Sequence, residues 1–190
     1  MDAPSTTPCL GNDLAAAWEK FSERIAVVDG DEFWTYRQLR WAVEARRRSL
    51  AEYGVGKGTR VAFLLGANLE FVITYYALLL SGAVAIPINT TWTGRELREG
   101  LRLSETEVII VQRKFKDLDL SGLLASAIPG LTAMTADAVS DPELPHLSAV
   151  LFQDSEVAAT GPAFTRTRRP SPMDEVPLEP PVAASDDLAM

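Results

Sequence analysis

The sequence predicts an α/β fold: an incomplete doubly wound, mostly parallel sheet flanked by helices, with a small N-terminal β-hairpin. Two observations lead to this prediction. Short apolar segments with strand character alternate with longer segments of helical periodicity, and several of the strands are apolar on both faces. That combination is typical of a parallel sheet covered by helices on both sides. At 190 residues, the chain is long enough to bury one core.

Capping residues and apolar spacing predict where the helices begin and end. Asp13, Thr35 and Thr93 each precede a helical pattern, and each has the side-chain oxygen that a helix N-terminus requires. Glu96 follows Thr93 at the spacing of a capping box. Gly54 is expected to end the second helix. The predicted helices are 13–23, 36–53, 69–80, 94–103 and 118–127, the last closed by Pro129-Gly130.

Turn residues and short apolar runs predict the strands. Asp29-Gly30-Asp31 separates two β-like segments and predicts the hairpin. Gly66-Ala67-Asn68 leads from a wholly apolar strand into a helix, and Ser81-Gly82 separates that helix from the next strand. The predicted strands are 25–28, 32–35, 61–65, 84–88, 108–111, 131–134 and 149–152.

The composition divides the chain into three parts. Residues 1–12 are expected to be a disordered N-terminus, and residues 13–152 to form the α/β subdomain. Half of the twelve prolines lie in 154–187, where no helical or strand period is evident. Residues 153–190 are therefore expected to be a proline-rich irregular linker that ends at the start of a strand.

Charge and cysteine content exclude several classes of protein. The net charge of -8 argues against nucleic-acid binding, which requires a basic surface. A single cysteine rules out an internal disulfide, and the N-terminus does not resemble a secretion signal, so a cytoplasmic location is expected. Phe71–Ile88 is long and apolar enough to suggest a membrane span. We interpret it instead as a core helix and a core strand, because Ser81-Gly82 and Pro87 interrupt it.

The segment Gly54–Thr59, GVGKGT, invites interpretation as a phosphate-binding loop. Such a loop has a serine or threonine directly after its lysine and leads from a strand into a helix. Here Gly58 follows Lys57, and the segment leads from a predicted helix into a predicted strand. The pattern therefore favours a helix stop followed by a turn.

Other residues with chemical potential also have simpler structural interpretations. His146, the only histidine, has no partner ligand or nucleophile nearby in the sequence, and Cys9 has no supporting cations. Asp29 and Asp31 flank a turn glycine. We assign no catalytic, cofactor-binding or metal-binding residue. The other residues considered have structural interpretations too. Asp186-Asp187 lies at the C-terminus, Arg46-Arg47-Arg48 is expected on a mostly solvated helix face, and Arg166, Arg168 and Arg169 lie in the proline-rich segment. Trp34 and Trp92 are expected to be packing residues.

Three motifs resemble those of the adenylate-forming (AMP-binding) enzyme superfamily. They are WTYRQL at 34–39, EFVITYYALLLSGAVAIPIN at 70–89 and TTWTGREL at 90–97. The segments GVGKGTRVAFLL, SETEVIIV and LPHLSAVLF fit the intervening and following parts of the same pattern. Within the superfamily, these motifs are most similar to those of acyl-CoA synthetases.

The resemblance implies a fold of stacked α/β layers and a reaction that uses ATP, magnesium and coenzyme A. In complete members a carboxylate becomes an acyl-adenylate and then an acyl-CoA. The family's phosphate loop follows a lead-in like DDLAM, and Met190 is the last residue here. We therefore expect an N-terminal portion that is inactive and binds no cofactor by itself. The alternative is a non-catalytic module that self-associates or pairs with a complementary ligase piece or a paralogue.

Overall fold

The computed structural model describes residues 10–129, 131 and 141–153. It has a four-stranded parallel sheet, two short antiparallel hairpins and five helices in those ranges. The elements in chain order are α1 (Leu10–Lys20), β1 (Ile25–Asp29), β2 (Glu32–Thr35), α2 (Tyr36–Glu52), β3 (Arg60–Leu64), α3 (Leu69–Leu80), β4 (Val84–Pro87), α4 (Gly94–Leu103), β5 (Val108–Val111), β6 (Lys114–Phe115), β7 (Leu118–Asp119), α5 (Leu120–Ala127) and β8 (Ala149–Phe152).

The four-stranded sheet confirms the predicted fold class. Its strand order is β4-β3-β5-β8, and every neighbouring pair is parallel. At the centre Ala62 lies opposite Ile86 on one side and Ile109 on the other. The chain moves from β3 to β4 in one direction and then crosses to β5 on the other side of β3. This reversal is the topological switch point of a doubly wound sheet.

Both faces of the sheet are buried, as the apolar strands predict. Val61 and Phe63 of β3 pack in a core with residues of α2 and α3, such as Val43 and Ile73. Leu64, with the opposite orientation, packs in a second core with residues of α4, α5 and β8. The sheet therefore separates two apolar layers.

The helix boundaries confirm most of the capping predictions. Thr35 forms a capping box with Gln38 at the start of α2, and Thr93 forms one with Glu96 at the start of α4. Gly54 has a φ of 75°, the left-handed conformation that follows many helix ends. Asn68 caps α3, because its side chain accepts a hydrogen bond from the Phe71 N–H.

Two helices begin at residues other than those predicted, and the first also ends earlier, at Lys20 rather than at residue 23. α1 runs from Leu10 to Lys20, so Asp13 lies in its first turn and does not cap it. A carboxylate is favourable in either position because both face the positive end of the helix dipole, and the sequence alone does not separate them. α5 begins at Leu120, because Lys114–Asp119 forms the unpredicted β6–β7 hairpin and Asp119 caps the helix.

Some predictions fall outside the described residues. Residues 132–134 of the predicted strand, residues 1–9 of the predicted N-terminal segment and residues 154–190 of the predicted linker belong to this group. Within the described ranges, no helix has both the length and the apolar character needed to cross a membrane. The apolar segment Phe71–Ile88 is divided between α3 and β4.

The prediction that all three consecutive arginines face mostly solvent is wrong for two of them. Arg46 is 2% exposed and Arg47 is 5% exposed, whereas Arg48 is exposed. α2 packs against α3 as well as against α1 and the β1–β2 hairpin, so more than one of its faces is covered. The buried guanidinium groups are paired with Glu70 and Glu44, respectively.

Candidate functional site at the carboxyl edge of the sheet

The crevice between the carboxyl ends of β3 and β5 is the first place to look for a ligand. In open doubly wound sheets, ligands bind at this edge where the strand order reverses. Gly66 and Asn68 follow β3 here, and Gln112 follows β5. We refer to this region as the switch-point crevice.

The chain fills the switch-point crevice with its own side chains. The Phe115 ring packs directly on Gly66: a Cβ atom added there would lie 2.0 Å from Cδ2 of the ring. The Gln112 Oε1 atom accepts hydrogen bonds from the Gly66 backbone N–H at 3.1 Å and from Asn68 Nδ2 at 3.3 Å. The groups that could meet a ligand there contact one another instead.

Helix N-termini are the second place where a nucleotide phosphate could bind. At α3, the Asn68 Oδ1 atom accepts from the Phe71 N–H at 3.2 Å, and Asp29 Oδ2 accepts from the Leu69 N–H at 2.9 Å. The turn residue Asp29 therefore also ties the hairpin to α3. A phosphate at this terminus would have to displace a carboxylate that is already bound.

The same arrangement recurs at α4 and α5. Glu96 accepts from the Thr93 backbone N–H at 2.7 Å, and Asp119 accepts from the Gly122 N–H at 2.9 Å. These backbone hydrogen bonds lower the pKa of both carboxyl groups, so both are negatively charged at neutral pH. Negative charge at all three termini disfavours a phosphate group.

The glycine-rich turn after α2 has the structural role that its sequence predicts. The Gly58 N–H donates to the Gly82 carbonyl at 2.8 Å, and the Gly56 N–H donates to Thr59 Oγ1 at 3.1 Å. The turn leads into β3 and precedes no helix. The Gly58 donor therefore ties the turn to the α3–β4 junction, and the Gly56 donor closes the turn itself.

No group of three or more His, Cys, Asp or Glu side chains in the described ranges is placed to hold a metal ion. His146 is exposed on the loop before β8. The N-termini of α2, α3, α4 and α5 are capped by side chains of the chain itself. We derive no catalytic step from these residues.

A buried ionic cluster was missed by sequence reasoning. Arg46 Nη2 donates to Glu70 Oε2 at 2.7 Å, and Gln153 Nε2 donates to the same oxygen at 2.5 Å. Burial of Arg46 lowers the pKa of its guanidinium group, although Glu70 opposes this shift. The signal in the sequence was Glu70 itself, the single charged residue in the otherwise apolar α3. A charge in such a helix is seldom buried without a partner.

A second unpredicted cluster holds the loop before β8. Arg98 of α4 donates from Nη1 and Nη2 to the two carboxylate oxygens of Asp141, each at 2.9 Å, and from Nε to Glu143 at 2.8 Å. The hydrogen bonds from Arg98 lower the pKa of Asp141. The partners are more than 40 residues apart in sequence, so no local pattern indicates the pairing.

The tryptophans are packing residues, as the sequence predicts. Trp34 is 2% exposed, and its Nε1–H donates to Glu32 at 3.1 Å. Trp92 packs within the second core, next to Gly100 of α4. The candidates Cys9, Arg166, Arg168, Arg169 and Asp186-Asp187 lie outside the described residues.

Comparison with curated proteins finds acyl-CoA ligases. A medium/long-chain-fatty-acid–CoA/3-oxocholest-4-en-26-oate–CoA ligase from Mycobacterium marinum is 30% identical over 106 residues, which are 55% of this chain and 19% of that protein. A 3-hydroxybenzoate–CoA/4-hydroxybenzoate–CoA ligase from Thauera aromatica is 30% identical over 57% of this chain and 20% of its own length. The chain thus spans about a fifth of the length of these curated relatives.

Solved structures show the same fold. The Mycobacterium tuberculosis fatty acyl CoA synthetase matches 76% of this chain and 26% of its own, with a TM-score of 0.59 and 27% identity. The anthranilate CoA ligase AuaEII, in complex with anthranoyl-AMP, matches 77% of this chain and 25% of its own, with a TM-score of 0.62 and 23% identity. The sequence model of the AMP-binding enzyme family matches residues 14–190. With a parallel α/β sheet and a family match over most of its length, the chain belongs to the AMP-binding enzymes, and acyl-CoA ligases are among its relatives.

Proposed function

We propose that this chain is the N-terminal part of an ATP-dependent acid–CoA ligase. In the complete enzyme a carboxylate would displace pyrophosphate from ATP to form an acyl-adenylate, and the coenzyme A thiol would then displace AMP. The observation that supports this proposal most is the family match over residues 14–190. It coincides with a parallel sheet of the order β4-β3-β5-β8.

The role proposed for the described residues is that of a scaffold layer, without ligase activity in the isolated chain. Two observations support this. The switch-point crevice is filled by Phe115, and the helix N-termini that follow strands are capped by the chain's own side chains. In adenylyl transfer, catalysis depends on groups that bind phosphate and stabilise its charge. The filled crevice and the capped termini leave no open position for such groups to meet a phosphate at these places.

An ATP–pyrophosphate exchange assay tests the inactivity of the isolated chain. The purified 190-residue protein would be assayed with ATP, magnesium and a panel of carboxylic acids, next to a full-length ligase of the family as positive control. We expect no exchange above background. Exchange that depends on one acid would overturn the proposed inactivity.

A chimera tests the proposed scaffold role separately. Residues 14–153 of this chain would replace the corresponding segment of a related full-length acyl-CoA ligase. We expect the chimera to fold and to retain measurable exchange activity, because the grafted segment would supply packing rather than catalytic groups. A soluble, folded chimera with no activity would contradict the assignment.

The substrate class is proposed only as a carboxylic acid. The relatives' names divide between fatty-acid, steroid-derived and aromatic acids. The assay panel therefore includes medium- and long-chain fatty acids, to test a role in fatty acid metabolism, as well as hydroxybenzoates.

A second candidate function is assembly with a complementary ligase piece, a paralogue or a second copy. Val28 and Phe33 lie opposite each other in the β1–β2 hairpin and are 58% and 53% exposed. A register shift near the start of β1 places Ile25, 56% exposed, on the same face. An isolated two-stranded hairpin has little stability in water, and an exposed apolar face favours association.

Light scattering coupled to size exclusion tests the assembly proposal. If the hairpin face mediates association, the wild-type chain forms a dimer or binds a complementary piece, and the Val28→Thr/Phe33→Thr variant does not. Leu103→Thr is the matched control, because Leu103 is 67% exposed on α4 rather than on the hairpin. A monomeric wild-type chain that binds no complementary piece would contradict this proposal.

A further inference from the structure

The Glu70 carboxylate joins three elements that are distant in sequence. It lies in the first turn of α3, and its Oε2 atom accepts hydrogen bonds from Arg46 of α2 and from Gln153, which follows β8. The three residues are 8%, 2% and 4% exposed, respectively. A buried hydrogen bond to a charged acceptor is stronger than one between neutral groups.

β8 is the strand that gains most from such a contact. It pairs with β5 on one side and has no neighbour on its other side among the described strands. Its last ladder contact is the Gln153 N–H, which donates to the Val111 carbonyl at 2.9 Å. Strand ends at the edge of a sheet open more readily than central strands. A side-chain contact at Gln153 therefore acts where β8 is weakest.

The Gln153 side chain has a single anchor in the described ranges. Its Nε2 group donates to Glu70, whereas its buried Oε1 atom has no hydrogen-bond partner there. A buried amide with an unsatisfied oxygen is unfavourable unless the other half of the group makes a strong bond. The bond to a charged carboxylate at 2.5 Å meets that requirement.

We propose that Glu70 is a positioning residue that holds the end of β8 in the sheet through Gln153, and that Arg46 keeps the Glu70 carboxylate in place. We call this arrangement the Glu70 anchor. It fixes the position of the C-terminal end of β8. The inference does not depend on ligase activity, since it concerns the local stability of one strand.

Hydrogen exchange measured by mass spectrometry tests the Glu70 anchor in the 190-residue chain. Gln153→Met keeps the approximate length of the side chain and removes its amide. We expect amides in 149–153 to exchange roughly ten- to hundredfold faster, which corresponds to the loss of a hydrogen bond to a charged group. Amides of β3 and β5 should change by less than about threefold, because these strands are paired on both sides.

Three further variants distinguish the anchor from a general loss of packing. Glu70→Leu is combined with Arg46→Met, because either change alone leaves a buried charge without its partner. This pair removes the acceptor for Gln153, so it should accelerate exchange in 149–153 about as much as Gln153→Met does. Adding Gln153→Met to the pair should cause no further acceleration. Thr74→Val is the matched control: Thr74 is fully buried in α3 and makes only a 3.5 Å contact with Arg46 Nη1, so β8 should be unaffected.

Three results would overturn the proposal. The first is unchanged exchange in 149–153 of a folded Gln153→Met variant. The second is an equal acceleration in β3, β5 and β8, which would mean that the cluster supports the whole fold and has no particular effect on β8. The third is additivity on 149–153 between Gln153→Met and the pair Arg46→Met/Glu70→Leu, which would contradict a shared contact.

Discussion

Gly66→Ala is predicted to destabilise the chain because of one neighbouring side chain. A Cβ atom at this position would lie 2.0, 2.2 and 2.3 Å from three carbons of the Phe115 ring. An ordinary contact begins at 3.4 Å, so the ring must move by about 1.4 Å (3.4 minus 2.0) to admit the methyl group. Overpacking of this kind typically destabilises a protein by about 1–3 kcal/mol.

Removing the ring should reduce the effect. The φ angle of Gly66 is not in the left-handed region, and the three atoms nearest to the added Cβ all belong to the Phe115 ring. In a Phe115→Ala background, Gly66→Ala should therefore destabilise much less than it does in the wild type. Phe115→Ala alone should destabilise, since the half-buried ring loses its contacts with the second core.

Urea unfolding followed by circular dichroism measures all four chains of this cycle. The urea concentration at the midpoint should shift, whereas the slope of the unfolding free energy against urea concentration should stay the same, as expected when only stability changes. Gly56→Ala is the matched control, because no atom lies within 4 Å of its added Cβ and its φ is also outside the left-handed region. If Gly66→Ala destabilises the Phe115→Ala protein as much as the wild type, the crevice is not filled as described.

Three further predictions concern charged and capping residues. Arg46→Met should destabilise by about 3–5 kcal/mol, because Glu70 is left buried with its cation removed, and Arg46→Met/Glu70→Leu should recover much of that loss in urea unfolding. Folding lowers the pKa of Asp141 below its unfolded value of about 3.9. The pairing with Arg98 therefore stabilises the folded state fully above the unfolded pKa, and this stabilisation is lost as the pH falls through the lower folded pKa. The stability difference between wild type and Arg98→Met should therefore shrink as pH drops from 7 to 3. Thr93→Ala should lower the thermal midpoint by removing a cap worth about 1 kcal/mol.

Local signals explain why the sheet and its helices could be predicted. The alternation of apolar strands and periodic helices predicts the parallel sheet, and Thr35, Thr93 and Gly54 mark boundaries through chemistry within a few residues. The strand Val108–Val111 is apolar at every position and is buried at every position. Patterns of this kind report on burial directly.

Contacts between distant residues explain what could not be predicted. Arg46 lies where the α2 pattern indicates a solvated face, and only packing against α3 brings it to Glu70. Phe115 appears as one aromatic residue among charged neighbours, and only the fold brings its ring onto Gly66. Asp29 looks like a turn residue, and only the tertiary structure places its carboxylate on the α3 N-terminus. In each case the pattern is local and the partner is remote.

The same interactions that stabilise this layer also remove its potential ligand positions. An uncapped helix N-terminus leaves four backbone N–H groups available, and these are the groups that bind phosphate in nucleotide-binding folds. Asp29, Glu96 and Asp119 occupy some of them with carboxylates that are part of the chain. A phosphate at these termini would therefore have to displace a carboxylate of the chain itself, and this supports the scaffold role proposed for the layer.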